Sequence, residues 1–143
     1  MSGQVKAGGI GKSRFLVTDD DGALKVVPVT SADSGDALSP YLNEALDATP
    51  DAVKATAGTF HGGYIYNPNT DEPISLHLYN VAVGGVTVGT TPPTQSFRVD
   101  NGAVFELQKG IYFDTAITVA ATQQITGGDT DPTIGLVVNL WFK

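Results

Sequence analysis

Ile74-Ser-Leu-His-Leu-Tyr79 and Leu136-Val-Val-Asn-Leu-Trp-Phe142 place apolar side chains at every second position. Ile74, Leu76 and Leu78 alternate with Ser75, His77 and Tyr79, while Leu136, Val138, Leu140 and Phe142 alternate with Val137, Asn139 and Trp141. Period two marks a strand that buries one of its faces. Outward from these two segments the chain keeps the same texture. Short β-rich runs at Val53–Ala57, Thr59–Asn67, Val86–Thr90, Thr94–Val99, Ala103–Leu107, Ile111–Phe113 and Ala116–Thr122 are bounded by Gly, Pro, Asn and Asp. Short strands at this spacing predict an all-β protein, an antiparallel β-sandwich of jelly-roll type over residues 53–143. Its core should hold Leu76, Leu78, Ile117, Val119, Val138 and Leu140. About a dozen large apolar side chains at roughly 1.5–3 kcal/mol each supply a gross driving force of tens of kcal/mol. Ordering entropy offsets most of that.

Residues 1–52 read as an N-terminal arm, a β-hairpin and a linker. Residues 1–13 are Gly-rich and polar, so they are expected to order only on a partner. Arg14–Asp19 and Ala23–Val29 are two β-branched runs around Asp20-Asp21-Gly22, a hairpin signal. Within the Ser/Asp/Ala/Gly/Pro-rich stretch 30–51, Ser39-Pro40 resembles an N-cap followed by proline at the first helical position. With Leu38, Leu42 and Leu46 at helical spacing, it predicts at most one short helix.

The chain of 143 residues is the size of one ordinary domain, and no apolar run approaches the roughly 18 residues of a membrane-spanning helix. No membrane partner is expected. The N-terminus lacks the apolar stretch of a secretory signal, so synthesis in the cytoplasm is expected. The lack of cysteine removes thiol nucleophiles and thiolate metal sites. A net charge of −7 disfavours nucleic-acid binding through a broad basic face. The charge is uneven: residues 1–18 contain Lys6, Lys12 and Arg14 with no acidic residue, and all fifteen carboxylates follow. These three cations are the candidate partner-binding residues, an arm that docks on an acidic neighbour; the alternative is a solvated tail.

Motifs for catalysis and ligation are weak. Gly11-Lys12-Ser13 has the end of a phosphate loop, but Lys6 stands where the motif needs its first glycine. Asp19-Asp20-Asp21-Gly22 has adjacent rather than alternating carboxylates and no closing Glu, so it reads as a turn and not a calcium loop. His61 and His77, the only histidines, are expected on neighbouring strands of one sheet without a third metal ligand. No G-x-S-x-G pattern is present, and no metal or organic cofactor is expected. Tyr64, Tyr66, Tyr79, Tyr112 and Trp141 each read singly as core packing; on an outer face they would be contact residues.

The stretches Gly63-Tyr-Ile-Tyr-Asn-Pro-Asn69, Leu76-His-Leu-Tyr-Asn80, Val88-Gly-Thr-Thr-Pro-Pro93, Gly110-Ile-Tyr-Phe113 and Gly135-Leu-Val-Val-Asn-Leu-Trp-Phe-Lys143 resemble small β-sandwich virion proteins of tailed bacteriophages. These are of the capsid decoration, or cement, type. The resemblance covers about two-thirds of the chain and contains no ligand motif. It implies a non-enzymatic structural protein on the capsid surface, a homotrimer with the major capsid protein as partner. The alternative it leaves is a carbohydrate- or receptor-binding module of a tail or fibre.

Overall fold

The computed structural model describes residues 5–7, 14–18, 24–26, 37–101, 103–126 and 128–143. They fall into two compact units, Met1–Ala37 and Leu38–Lys143. The described residues of the first unit form a three-stranded antiparallel sheet in the order β1 (Val5–Ala7), β2 (Arg14–Thr18), β3 (Leu24–Val26). The expected hairpin is present as β2·β3, with Leu16 opposite Val26. Its Asp19–Gly22 turn lies outside the described residues. Val5–Ala7, expected within an unstructured arm, pairs with β2 instead, which gives the edge of β2 partners for its backbone groups.

The second unit contains β4 (Ser39–Leu46), β5 (Asp51–Lys54), β6 (Gly58–Tyr66), β7 (Ile74–Tyr79), β8 (Gln95–Val99), β9 (Ala103–Phe113), β10 (Ile117–Thr122) and β11 (Leu136–Phe142). One sheet has the order β5-β10-β7-β8 and the other β4-β11-β6-β9. The antiparallel pairs β4·β11, β5·β10, β6·β9 and β7·β8 are nested from the chain ends inward. This is the order produced when one long two-stranded ribbon is wound into two sheets, the jelly roll. The fold expected from the alternating runs is the fold observed.

The six side chains expected in the core are all buried, joined there by Phe60, Ile65, Ile74, Phe113, Leu136 and others. Leu76 and Leu78 of β7 face the same cluster as Val138 and Leu140 of β11, so the interior is the seam between the sheets.

Three local expectations are corrected. Ser39–Leu46 is a strand, not a helix. The four-residue leucine spacing is also an even spacing, and a pairing partner on β11 decides between the two periods. Pro40 is tolerated because β4 is an edge strand. Tyr41 and Asn43 turn inward, where the Tyr41 hydroxyl donates to Asp51 Oδ2 at 2.5 Å and Asn43 Nδ2 donates to the same oxygen at 3.1 Å. Burial and the Asp51 carboxylate push the Tyr41 hydroxyl pKa well above its ordinary value. Val86–Thr90 is not a strand; it follows a 3₁₀ turn at Val83–Gly85 within the β7–β8 connection. Ala103–Leu107 and Ile111–Phe113 merge into the single strand β9, whose register against β6 shifts between Phe60 and Gly62.

At the end of the sandwich where β6 leaves for β7, Asn67 and Asn69 take over the backbone bonding that the ladder no longer provides. Asn67 Nδ2 donates to the carbonyls of Glu72 and Val99 at 2.8 and 3.1 Å. Asn69 Nδ2 donates to Ile134 O at 2.7 Å, and Ile134 N donates back to Asn69 Oδ1 at 3.0 Å. Both asparagines are buried, so these bonds occur where an unmade one is costly.

The sandwich therefore begins at β4, ahead of Val53. A fragment of residues 38–143 is expected to unfold cooperatively by circular dichroism. A fragment of residues 53–143 loses β4 and the Leu46 side chain, leaves β11 as an open edge, and should have a clearly lower melting temperature. Val138→Asp buries a carboxylate with no partner and should cost on the order of several kcal/mol in denaturant titration. A near-neutral effect would contradict the core assignment.

Candidate interaction face

Two stacked sheets bury their inner faces against each other, and their outer faces meet different fates. On the β5-β10-β7-β8 sheet the outer face contains Ser75, His77 and Tyr79 of β7 with Thr118, Ala120 and Thr122 of β10. Period two predicted such residues on the face away from the core, and they are there, yet all six are buried. The cover comes from the chain's own loops. Val81, Val86 and Val88 pack with Tyr79 and Ala120 as a second small apolar cluster. Thr118 Oγ1 donates to Val81 O at 2.7 Å, and Asn80 Nδ2 donates to Asp114 Oδ1 at 2.7 Å. The bonds from Asn80 and Thr115 hold the exposed Asp114 carboxyl below the usual carboxylate range.

His77 is the polar centre of this covered face. Its Nδ1 is 2.7 Å from Ser96 Oγ, and its Nε2 is 2.8 Å from Thr122 Oγ1 and 3.0 Å from Gln124 O. A carbonyl only accepts, so Nε2 holds the proton and Nδ1 accepts from Ser96. Every ring nitrogen is thus satisfied by a neutral imidazole, and burial lowers the His77 pKa from its ordinary value. The Tyr79 hydroxyl beside it is buried with no hydrogen-bond partner among the described residues, and burial raises its pKa. His61 lies on β6, in the other sheet, so the two histidines are not on neighbouring strands. Among the described residues no group of three or more His, Asp or Glu side chains is placed to hold a metal ion.

Among the described residues the outer face of the β4-β11-β6-β9 sheet keeps several large side chains exposed. Leu42, Tyr64, Tyr66 and Tyr112 are 62%, 43%, 40% and 66% exposed, and Val137 and Trp141 are part-buried among them. Register places Asn139 between Leu42 and Tyr64, Trp141 between Pro40 and Gly62, and Val137 opposite Tyr66. Asn139 Oδ1, beneath this surface, is buried and has no hydrogen-bond partner among the described residues.

The tyrosines reach this face because of a local irregularity. Phe60 and Ile65 both point into the core although five positions separate them, which strict alternation forbids. The pairings of β6 with β9 and β11 both shift around His61 and Gly62, and Gly62 has φ +97°, a left-handed conformation that favours glycine. A Cβ on Gly63 would collide with the Asn139 carbonyl oxygen. The Gly62-Gly63 pair thus turns Ile65 inward and Tyr64 and Tyr66 outward.

Charge is absent from the centre of this face. β6 and β11, the two central strands, contain no Asp, Glu, Lys or Arg; Glu44, Glu106 and Lys109 stand on the edge strands β4 and β9. Asp47, Asp71, Glu72, Asp100, Asp129 and Asp131 occupy the loops at one end of the sandwich. These loops are tied together by Ala48 N to Asp131 Oδ1 at 3.0 Å and Thr133 N to Glu72 Oε2 at 3.3 Å. Arg98, paired with Asp100 at 3.0 Å, is the cation beside them.

Of the sequence-derived partner residues, Lys6 falls in β1 and Arg14 opens β2, on adjacent paired strands of the first unit. Lys12 lies outside the described residues. Tyr79 fits the core expectation; Tyr64, Tyr66 and Tyr112 do not, being exposed. Leu42 reads in the sequence as part of a helical spacing and Asn139 as a polar position of an alternating strand, neither as a surface contact. The Gly62-Gly63 pair inside a strand pattern was the available signal. Comparison of the chain with protein-family models, curated proteins and solved structures finds no match.

His77 gives a pH test of the covered face. Its folded pKa lies below the unfolded value, so its contribution to stability is full above about pH 6.5 and is lost as pH falls through the interval between the two pKa values. Melting temperature should therefore drop on going from pH 7.5 to 5.5, and His77→Gln should flatten that dependence. An unchanged pH profile in the variant would show that His77 is not its source.

Proposed function

We propose that this protein is a non-enzymatic structural component of a phage virion, a decoration protein that binds the head shell and stabilises it. The major capsid protein is its partner, the homotrimer its working form, and the outer capsid surface its location after synthesis in the host cytoplasm. The observation that carries the reading is the difference between the two outer faces. One sheet is closed by its own loops, and the other presents exposed tyrosines and a leucine over uncharged central strands. Exposed aromatic side chains over uncharged strands have the composition of a protein-protein contact. The resemblance of residues 53–143 to decoration proteins supplies the identity of the assembly. The cations Lys6, Lys12 and Arg14 add an electrostatic contribution toward an acidic shell neighbour.

A second reading draws on the exposed rings of Tyr64 and Tyr66. Aromatic side chains on an open strand face suit a sugar as well, whose apolar face stacks on such rings.

Purified protein mixed with expanded empty capsids should co-sediment with them and raise their melting temperature. Removal of residues 1–13 should weaken that binding, and added salt should weaken binding by the intact chain. Glycan-array binding without any affinity for capsids would replace the decoration reading with the sugar-binding one.

A further inference from the structure

We propose that His77 is an acid-released latch: when its ring takes up a second proton, the loop between β7 and β8 lifts from the outer face of β7 and β10 while the core between the two sheets stays folded. This opening concerns the face that the chain covers itself and is independent of the capsid reading.

Position makes a local opening possible. Leu76 and Leu78 point into the seam between the sheets, whereas His77 points the other way and is fully buried all the same. Water therefore reaches its ring by removal of the cover alone, with the seam untouched. The cover is built to move as a unit. Residues 81–94 contain no Asp, Glu, Lys, Arg or His. The hydrogen bonds in the middle of the loop stay within it, from Val86 N to Val83 O at 3.2 Å, from Thr91 N to Thr87 O at 2.7 Å and from Thr87 N to Thr91 Oγ1 at 2.9 Å. Its polar ties to the sheet lie at its ends, from Thr118 Oγ1 to Val81 O at 2.7 Å and from Thr94 N to Leu78 O at 2.8 Å. Between those ends it is held by the packing of Val86 and Val88 with Tyr79 and Ala120. A segment held by few apolar contacts is the part of a fold that opens first.

The surroundings of the ring supply the trigger. Neutral His77 accepts from Ser96 Oγ at Nδ1 and donates from Nε2 toward Thr122 Oγ1 and Gln124 O. A second proton, on Nδ1, leaves a cation ringed by two hydroxyls and a carbonyl, with no carboxylate bonded to it. The ionisable groups nearby do not compensate. On β7 there is Tyr79, its ring centroid 6.3 Å from that of His77, and β10 gives this face only Thr118, Ala120 and Thr122. On β8, Arg98 stands on the same side as Ser96, a further cation already paired with Asp100 at 3.0 Å. Past Gln124, Asp129 is exposed and backs onto Gly89, where an added Cβ would fall 3.0 Å from the Asp129 Cβ, and Asp131 accepts from Ala48 N. A buried charge without a counter-ion is costly, and hydration after opening removes that cost.

The test is hydrogen exchange of the full-length protein, followed by mass spectrometry from pH 7.5 to 5 with each rate divided by the intrinsic rate at that pH. Exchange of residues 81–94 is expected to rise about tenfold per pH unit below about pH 6.5, the ordinary histidine value, while Leu136–Phe142 stays protected. His77→Gln, checked for a cooperative melt, should abolish the rise, and His61→Gln should keep it. Nuclear magnetic resonance titration of the unmodified protein reads the same event without a variant: the His77 ring and the loop signals should change with one midpoint. Loop exchange that is indifferent to pH would overturn the proposal. So would a rise that persists in folded His77→Gln, separate midpoints for ring and loop, or a parallel loss of protection in β11, which would mean global unfolding.

Discussion

Two sheets packed face to face have four faces and one shared core, so half of the sheet surface must be accommodated by something other than the core. Most of this molecule's sequence answers that constraint. The nested strand pairs bring every inward residue of eight strands to one seam, and Leu76, Val119, Val138 and their neighbours fill it. The outer face of β7 and β10 is met with a long valine-containing loop and a polar floor whose centre, His77, bonds three elements at once. The outer face of β6 and β11, among the described residues, leaves Tyr64 and Tyr66 exposed.

This division separates tasks that would interfere if they shared a surface. Carboxylates gathered at the loop end keep the body strongly negative, which favours solubility and resists indiscriminate association. The uncharged central strands leave one direction in which contact would desolvate no charge. The Gly62-Gly63 bulge is the hinge of the arrangement: by changing the phase of β6 midway, it gives Phe60 and Ile65 to the core and Tyr64 and Tyr66 to the outside.

The alternation of Ile74–Tyr79 and Leu136–Phe142 was enough to name strands, core residues and the two-sheet class, because burial on one face imposes period two directly on the sequence. What it did not reveal depended on contacts between distant segments. Ser39–Leu46 has local signals for a helix, and the β11 edge overrides them. Ser75, His77 and Tyr79 were legible as one face, but their burial depends on a loop whose valines read equally well as a strand. The aromatic surface was hidden by a phase change, since one bulge exchanges the sides of every later residue in the strand.

The central proposal is that this jelly roll decorates a capsid, with its open aromatic face as a contact surface there. A cryo-electron microscopy reconstruction of particles that contain the protein, compared with particles that lack it, tests this most directly. The account predicts added density on the shell that fits the residue 38–143 sandwich, with Tyr64 and Tyr66 buried in a protein contact. Density confined to the tail, or shell density in which that face is open to solvent, would contradict it.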